Sequence, residues 1–287
     1  MTVLALPTPP ARTSRLWKRL RRSPTTIMGG SVVLVFVAVA LLAPWIAPYD
    51  PIAPTWTAIR QAPSAAHWLG TDDVGRDILS RLIHGAQASL AAGVVSVGIA
   101  VTIGVPLGLV AGYFGRWSDA IISRVTEALL ACPFLILAIA LAAFLGPSLT
   151  NAMIAIGLSA SPIFVRLARA QTLAVKTADY VEGARAVGAG HLRIILRYIL
   201  LNAFPPLLVQ ATLTIAAAII AEASLSFLGL GQQPPAPSWG SMLNTAKNFI
   251  TQAPWMAVSP GLAIFVTVLA FNILGDGLRD ILDPKSR

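Results

Sequence analysis

The sequence predicts an all-α polytopic membrane protein with six transmembrane helices and both termini on the cytoplasmic side. Three observations carry that prediction. Of the 287 residues, 56% are hydrophobic and only 11% are charged, whereas a soluble domain carries about a quarter charged residues. Uncharged runs long enough to cross a bilayer recur along the whole chain. The basic residues cluster beside those runs, mostly on one side of the predicted membrane.

A net charge of +9 would point to nucleic acid in a soluble protein. Beside membrane spans the same charges set topology and meet anionic lipid, so the bilayer is the expected partner and nucleic acid is not. Cys132, the single cysteine, lies inside an apolar run and cannot form an internal disulfide. His67, His84 and His191 show no metal-ligand spacing, and no metal site is expected.

The elements follow in order. Residues 1–26 read as a cytoplasmic tail carrying Arg12, Arg15, Lys18, Arg19, Arg21 and Arg22. A first span covers 27–47. It is too long for a cleavable signal segment, whose apolar region spans about 7–15 residues. Residues 48–85 are polar and proline-punctuated, an external segment. The remainder, 86–281, is one domain of five spans, followed by a short cytoplasmic tail, 282–287. Span two, 86–112, carries Gly104, Gly108 and Gly112, a stripe of small residues suited to close helix packing. Ala128 to Val165 is uncharged for 38 residues, about 57 Å as helix and nearly two bilayer thicknesses. It must fold back, and Gly146-Pro147-Ser148 is the natural break between spans at 120–145 and 150–168. A charged loop, 169–202, leads to span five at 204–227. An external loop rich in Gly, Pro, Ser, Asn and Gln, 229–255, leads to span six at 256–278. Of the 21 Lys and Arg, only Arg60, Arg76, Arg81 and Lys247 then fall outside, as the positive-inside rule requires.

No G-x-x-x-x-G-K-[ST] phosphate loop, H-E-x-x-H or G-x-S-x-G occurs. The chain is therefore read as a non-enzyme. An ion-coupled secondary transporter is the alternative reading, since such proteins use ionisable groups within the membrane. Its candidates are Glu127 and Glu222, both toward span ends. Ser159, Ser161, Thr212 and Thr214 are equally readable as path-lining groups or as interhelical hydrogen bonders.

The most informative stretch is Asp179-Tyr180-Val181-Glu182-Gly183-Ala184-Arg185-Ala186-Val187-Gly188. Asp179 with Glu182 reads as a capping box at a helix start, and Gly188 as the left-handed residue that stops the helix. A helix of about two turns is marginal alone in water and needs a partner surface. Small residues such as Gly183, Ala184 and Ala186 suit insertion into a groove. Residues 191–200, with Leu192, Ile195 and Ile199 on one face and Arg193 and Arg197 on another, read as an interfacial lead-in to span five.

This stretch resembles the E-A-A-x-x-x-G loop of ABC-importer permeases, with Glu182, Ala184 and Gly188 in register. Three further segments resemble signatures of the dipeptide/oligopeptide/nickel permease family, C-type subunit. They are His67-Trp68-Leu69-Gly70-Thr71-Asp72-Asp73-Val74-Gly75-Arg76-Asp77, Glu222-Ala223-Ser224-Leu225-Ser226-Phe227-Leu228-Gly229-Leu230-Gly231 and Gly275-Asp276-Gly277-Leu278-Arg279-Asp280. The four motifs stand in the family's order across residues 25–284. Gly183 departs from the loop's usual alanine and Leu201 from a proline that often follows it.

The resemblance implies a type I ABC-importer permease fold in a bacterial inner membrane, forming half of a path for di- or oligopeptides, nickel complexes, glutathione or related solutes. It implies a second, homologous permease as heterodimer partner and two ABC ATPases that hold ATP and Mg, leaving no cofactor on this chain. It also implies an external substrate-binding protein. Asp179, Glu182, Gly183, Ala184, Arg185 and Gly188 would form the coupling helix, with Arg185 facing an acidic group on an ATPase. Asp72, Asp73, Arg76, Asp77, Glu222 and Trp239 would serve a gate or external docking. The 70–77 segment reads equally as external scaffold, and Trp239 and Trp255 equally as interfacial anchors.

Overall fold

A computed structural model describes residues 23–282; the basic cluster Arg12–Arg22 and the last five residues of the expected tail lie outside the described residues. The described chain is helical, and its one β-bridge pairs Thr71 with Asp77. Five helices are long and apolar enough to cross a membrane, or six if a bent pair counts as one span.

Helix α1, Pro24–Ile46, starts where proline's missing N–H costs nothing. The Ser23 hydroxyl accepts from the Thr26 N–H at 3.4 Å. Most of its apolar side chains face outward, as lipid allows, while Gly29, Ala40 and Ala43 face inward. A Cβ at Gly29 would stand 2.7 Å from the Leu274 backbone nitrogen, so this glycine lets α1 touch the last helix, α9 (Trp255–Leu282).

Helix α2, Ile78–Phe114, runs 37 residues and begins eight residues earlier than the sequence suggests. Its main neighbour is α5, Leu149–Val175. The Gly104, Gly108 and Gly112 stripe lies against that helix, and a Cβ at Gly104 would stand 2.5 Å from the Ser161 carbonyl oxygen. Gly157 of α5 reciprocates, 2.8 Å from the Ser96 carbonyl by the same test. The stripe therefore does what its spacing predicts.

The expected continuous span at 120–145 is instead two helices, α3 (Arg116–Leu130) and α4 (Phe134–Leu145), bent by 92°. Pro133 explains the break, because proline drives the residue before it out of the helical region. Alone, the 12 residues of α4 reach about 18 Å, well short of the bilayer core. The turn at Gly146-Pro147-Ser148 is where the uncharged run suggests. Gly146 takes a φ of +93°, and the Asn151 amide donates back to the Leu145 and Gly146 carbonyls at 2.8 and 3.0 Å.

Helix α5 continues seven residues past the expected end, so Arg169 sits on a helix and not in a loop. After α6, Asp179–Ala186, comes α7, His191–Phe227. Residues Ile194–Ile199 of α7 form a π-helical turn. That wider turn shifts the buried stripe: Ile194, Ile195 and Ile199 are buried, while Leu192, expected on the same face, is exposed. The loop between α7 and α9 carries a short helix, α8, Trp239–Ala246.

Two apolar clusters result. One, around Ile156, Phe164, Ile199 and Leu225, joins α2, α4, α5 and α7. The other, around Ile78, Leu90, Ile219, Trp239 and Phe271, joins α1, α2, α7, α8 and α9.

Candidate functional site

The residues singled out in the sequence fall at the two ends of α2. At its N-terminal end, Asp77 is the helix cap: its Oδ2 accepts from the Ser80 N–H and hydroxyl at 2.8 and 2.7 Å. Its Oδ1 meets His67 Nδ1 at 2.9 Å. Asp72 holds the turn before the cap. Its Oδ1 accepts from the Val74 and Arg76 N–H groups at 3.0 and 2.9 Å. Its Oδ2 accepts from Arg76 Nε at 2.6 Å and pairs with Arg81 Nε at 3.4 Å. Arg81 also donates to the Pro51 and Pro235 carbonyls at 2.7 and 3.3 Å, tying both loops together. Asp72 and Asp77 are buried, and Asp73, part-exposed, pairs with Arg76 at 3.3 Å. Buried carboxylates with several charge-assisted bonds make a scaffold; the two buried aspartates present nothing to a partner.

Glu222 is fully buried five residues before the end of α7. The Ser226 and Ser89 hydroxyls donate to its two oxygens at 2.7 and 3.1 Å. Each hydroxyl then accepts a backbone N–H from the 229–255 loop, Gln232 at 3.0 Å and Trp239 at 3.3 Å. The carboxylate thus fastens the loop to α2 and α7 through two serines.

Trp239 is a correction. The readings that put it on an exposed surface, for external docking or interfacial anchoring, do not hold, because it is 1% exposed. Its indole N–H donates to the Leu82 carbonyl at 3.1 Å, and its ring meets Phe36 edge-on at 5.8 Å. A buried indole with its N–H satisfied is a packing anchor. Trp255 is half-buried, its N–H pointing at the Thr71 carbonyl, 3.4 Å away. The hydroxyls of Ser159, Ser161, Thr212 and Thr214 all bond back to carbonyls of their own helices, at 2.7–3.0 Å, and none bonds across helices.

At the other end of α2 stands α6. Its N-cap is Ala178, with no side-chain cap, so the expected capping box is absent. The chain already turns at Ala178, whose carbonyl accepts from the Val181 and Glu182 N–H groups at 2.8 and 3.1 Å. Asp179 and Glu182 are therefore inside the first turn, where their charge favours the helix through its dipole. The stop is as expected. Gly188 has a φ of +79°, and the Gly188 and Ala189 N–H groups bond to the Arg185 and Ala184 carbonyls at 2.9 and 3.0 Å. That pair of bonds is a Schellman turn.

Val181 and Ala184 are buried against the chain's own bundle, so Ala184 is not free to enter a partner's groove as expected. Asp179, Tyr180, Glu182, Gly183, Arg185, Ala186, Val187 and Gly188 are exposed, Val187 at 84%. The Arg185 guanidinium lies over the Tyr113 ring, 5.5 Å from its centre, where an external acid was expected. The Tyr113 hydroxyl reaches His191 Nδ1 at 2.8 Å.

One ion pair was missed from the sequence. Arg169 of α5 grips Asp119 of α3 with Nε–Oδ1 at 2.5 Å and Nη2–Oδ2 at 2.8 Å. The signal was present: Val165, Ala168 and Thr172 continue the buried helical face past Arg166 and Arg169.

Residues 104–287 match the family described as the binding-protein-dependent transport system inner membrane component. Residues 12–63 match the N-terminal transmembrane domain of oligopeptide transport permease C. The chain is 46% identical over 270 residues to the glutathione transport system permease protein GsiD of Pectobacterium atrosepticum, covering 94% of this chain and 90% of the relative. It is 45% identical to the dipeptide transport system permease protein DppC of Alkalihalophilus pseudofirmus, covering 94% and 89%. It is 46% identical to the probable D,D-dipeptide transport system permease protein DdpC of Escherichia coli K12, covering 93% and 90%. In fold it is similar to a chain of the inward-facing methionine ABC transporter MetNI, with a TM-score of 0.60 at 22% identity over 71% of this chain and 97% of that one. The chain belongs to the binding-protein-dependent transport system inner membrane component family and is a multi-pass, inner-membrane permease subunit of an ABC importer.

Proposed function

We propose that this chain forms half of a translocation path for di- or oligopeptides or related small solutes such as glutathione. It pairs with a second, homologous permease, takes solute from an external binding protein, and is driven by two ATPases that hold the ATP and Mg. The observation that carries the reading is α6, a helix of eight residues held to the bundle on one face and open on the other. So short a helix is marginal alone, and its open face suits an ATPase cleft. Orientation follows from charge. Arg116, Arg124, Arg166, Arg169, Lys176, Arg185, Arg193, Arg197 and Arg279 gather toward the α6 end, against Arg60, Arg76, Arg81 and Lys247 at the other, which supports the reading with α6 and both termini in the cytoplasm. The relatives' names support the solute class. ATP binding would act by favouring the state in which α6 makes more contact with the closed ATPases.

The test is Gly188→Val in vesicles holding the full complex. A side chain in the left-handed region costs about 1–2 kcal/mol, enough to shift the docked population about five- to thirtyfold. Membrane insertion should persist, ATP hydrolysis should continue, and peptide uptake should fall. Normal uptake by the variant would remove α6 from the coupling role, and uptake by wild type without ATPases would favour an ion-driven transporter instead.

A further inference from the structure

Helices α5, α7 and α9 border a hollow of about 660 Å³ near the α6 end of the bundle. The volume lies within the range of about 300–1,000 Å³ usual for small-molecule sites. The hydroxyls of Ser159, Ser161, Thr212 and Thr214, readable from the sequence as path-lining groups or as interhelical hydrogen bonders, bond to their own helices, and the polar groups in this wall are different ones. They are Gln171 of α5, Asn202 and Gln210 of α7, and Arg279 of α9.

The tandem prolines Pro205 and Pro206 add acceptors to the same wall. Neither has an N–H to give, so the carbonyls four residues back, those of Leu201 and Asn202, lose their usual helical donors. The Asn202 amide group donates to the Tyr198 carbonyl at 2.6 Å, which leaves its own side-chain oxygen to accept. Gln210 donates to the Thr214 hydroxyl at 3.1 Å and keeps a second amide hydrogen and its oxygen. Arg279 is exposed, with a planar fork of donors suited to a carboxylate.

A wall with carbonyl acceptors, amide groups that both donate and accept, and one guanidinium matches one solute chemistry well. A short peptide alternates N–H and C=O groups and ends in a carboxylate. We propose that this hollow is a solute subsite at the cytoplasmic mouth of the path. Arg279 pairs with the peptide's carboxylate, while Gln171, Gln210, Asn202 and the two released carbonyls pair with its peptide groups. The assignment rests on the transport reading above and gives it a location.

The test uses the whole complex in detergent without nucleotide, with Cys132→Ala so that Val209→Cys, in the wall, is the permease's one thiol. Dialanine and glutathione serve as probes, and the rate of maleimide labelling is read. Bound peptide slows labelling by the factor 1 + [L]/Kd, about fivefold at four times Kd. Arg279→Gln should abolish that protection, and Gln210→Ala should weaken it. Uptake of either probe by wild type with no protection of Val209→Cys overturns the subsite and leaves the transport reading standing. Neither uptake nor protection overturns both. Protection by anionic phosphatidylglycerol in place of peptide would make this a headgroup site, and a thiol blocked without any ligand would place the second permease there. Either result overturns the proposal.

Discussion

At its N-terminal end α2 emerges from buried carboxylates whose partners tie it to the 48–77 segment and the 229–255 loop, whereas its C-terminal end meets α6 where the Arg185 guanidinium lies over the Tyr113 ring. Asp72, Asp77 and Glu222 are each met by hydroxyl, guanidinium or backbone donors, and their serine and arginine partners reach on to Pro51, Gln232, Pro235 and Trp239. That end satisfies its own polar groups. The α6 end does not close on itself: Val181 and Ala184 are buried, and the remaining face of the helix is open. The contrast separates a self-contained scaffold from a handle finished by another subunit. Substitutions at the first end should therefore act on stability, and substitutions at the second on assembly.

The largest stability effect is expected from Trp239→Ala. Truncating a fully buried aromatic costs about 3–5 kcal/mol, and here the Leu82 carbonyl also loses its donor. The purified protein should melt well below wild type in detergent. An unchanged melting temperature would mean that the loop of 229–255 is not part of the folded unit. Asp72→Asn should come next. It keeps the shape of the turn but weakens bonds to Arg76 and Arg81, each a bond to a charged group worth about 1.5–3 kcal/mol. Neither substitution should change the amount of ATPase retained per folded permease, and a selective loss of ATPase would break the division between the ends.

The same contrast explains what the sequence disclosed. Uncharged runs announce spans because the bilayer excludes charge, and a stripe such as Gly104, Gly108 and Gly112 announces close packing because only glycine fits there. Gly188 was legible because a left-handed stop has a residue preference of its own. Other features depend on tertiary context. Trp239 sits among Gly, Pro and Ser, so its composition reads as surface, yet the loop folds back and buries it. Asp179 and Glu182 have capping-box spacing, but the turn at Ala178 starts the helix one residue earlier. Pro133 lay in view within an apolar run and outweighed that run's continuity. Serine and threonine hydroxyls do not declare a direction, and here each of the four in question turns to its own helix.

The smallest stability effect, and the sharpest test of the contrast, belongs to Val187→Ser. Val187 follows the last residue of α6 and is 84% exposed. An apolar side chain held that far out of its own fold has little intramolecular packing to lose, so the substitution should shift stability by no more than about 0.5 kcal/mol. Its cost should appear on assembly. If the open face of α6 seats in an ATPase cleft, burying valine's methyl groups there contributes about 0.8 kcal/mol per methylene equivalent, and exchanging one for a hydroxyl should weaken retention of the ATPase a few-fold. The measurement is ATPase recovered with affinity-purified permease over a salt series, beside the melting curve of the permease alone. Reduced retention with an unchanged melting curve places Val187 at the subunit contact. A lowered melting temperature with unchanged retention would mean that Val187 serves its own bundle, and that the α6 end is more self-contained than its exposed face indicates.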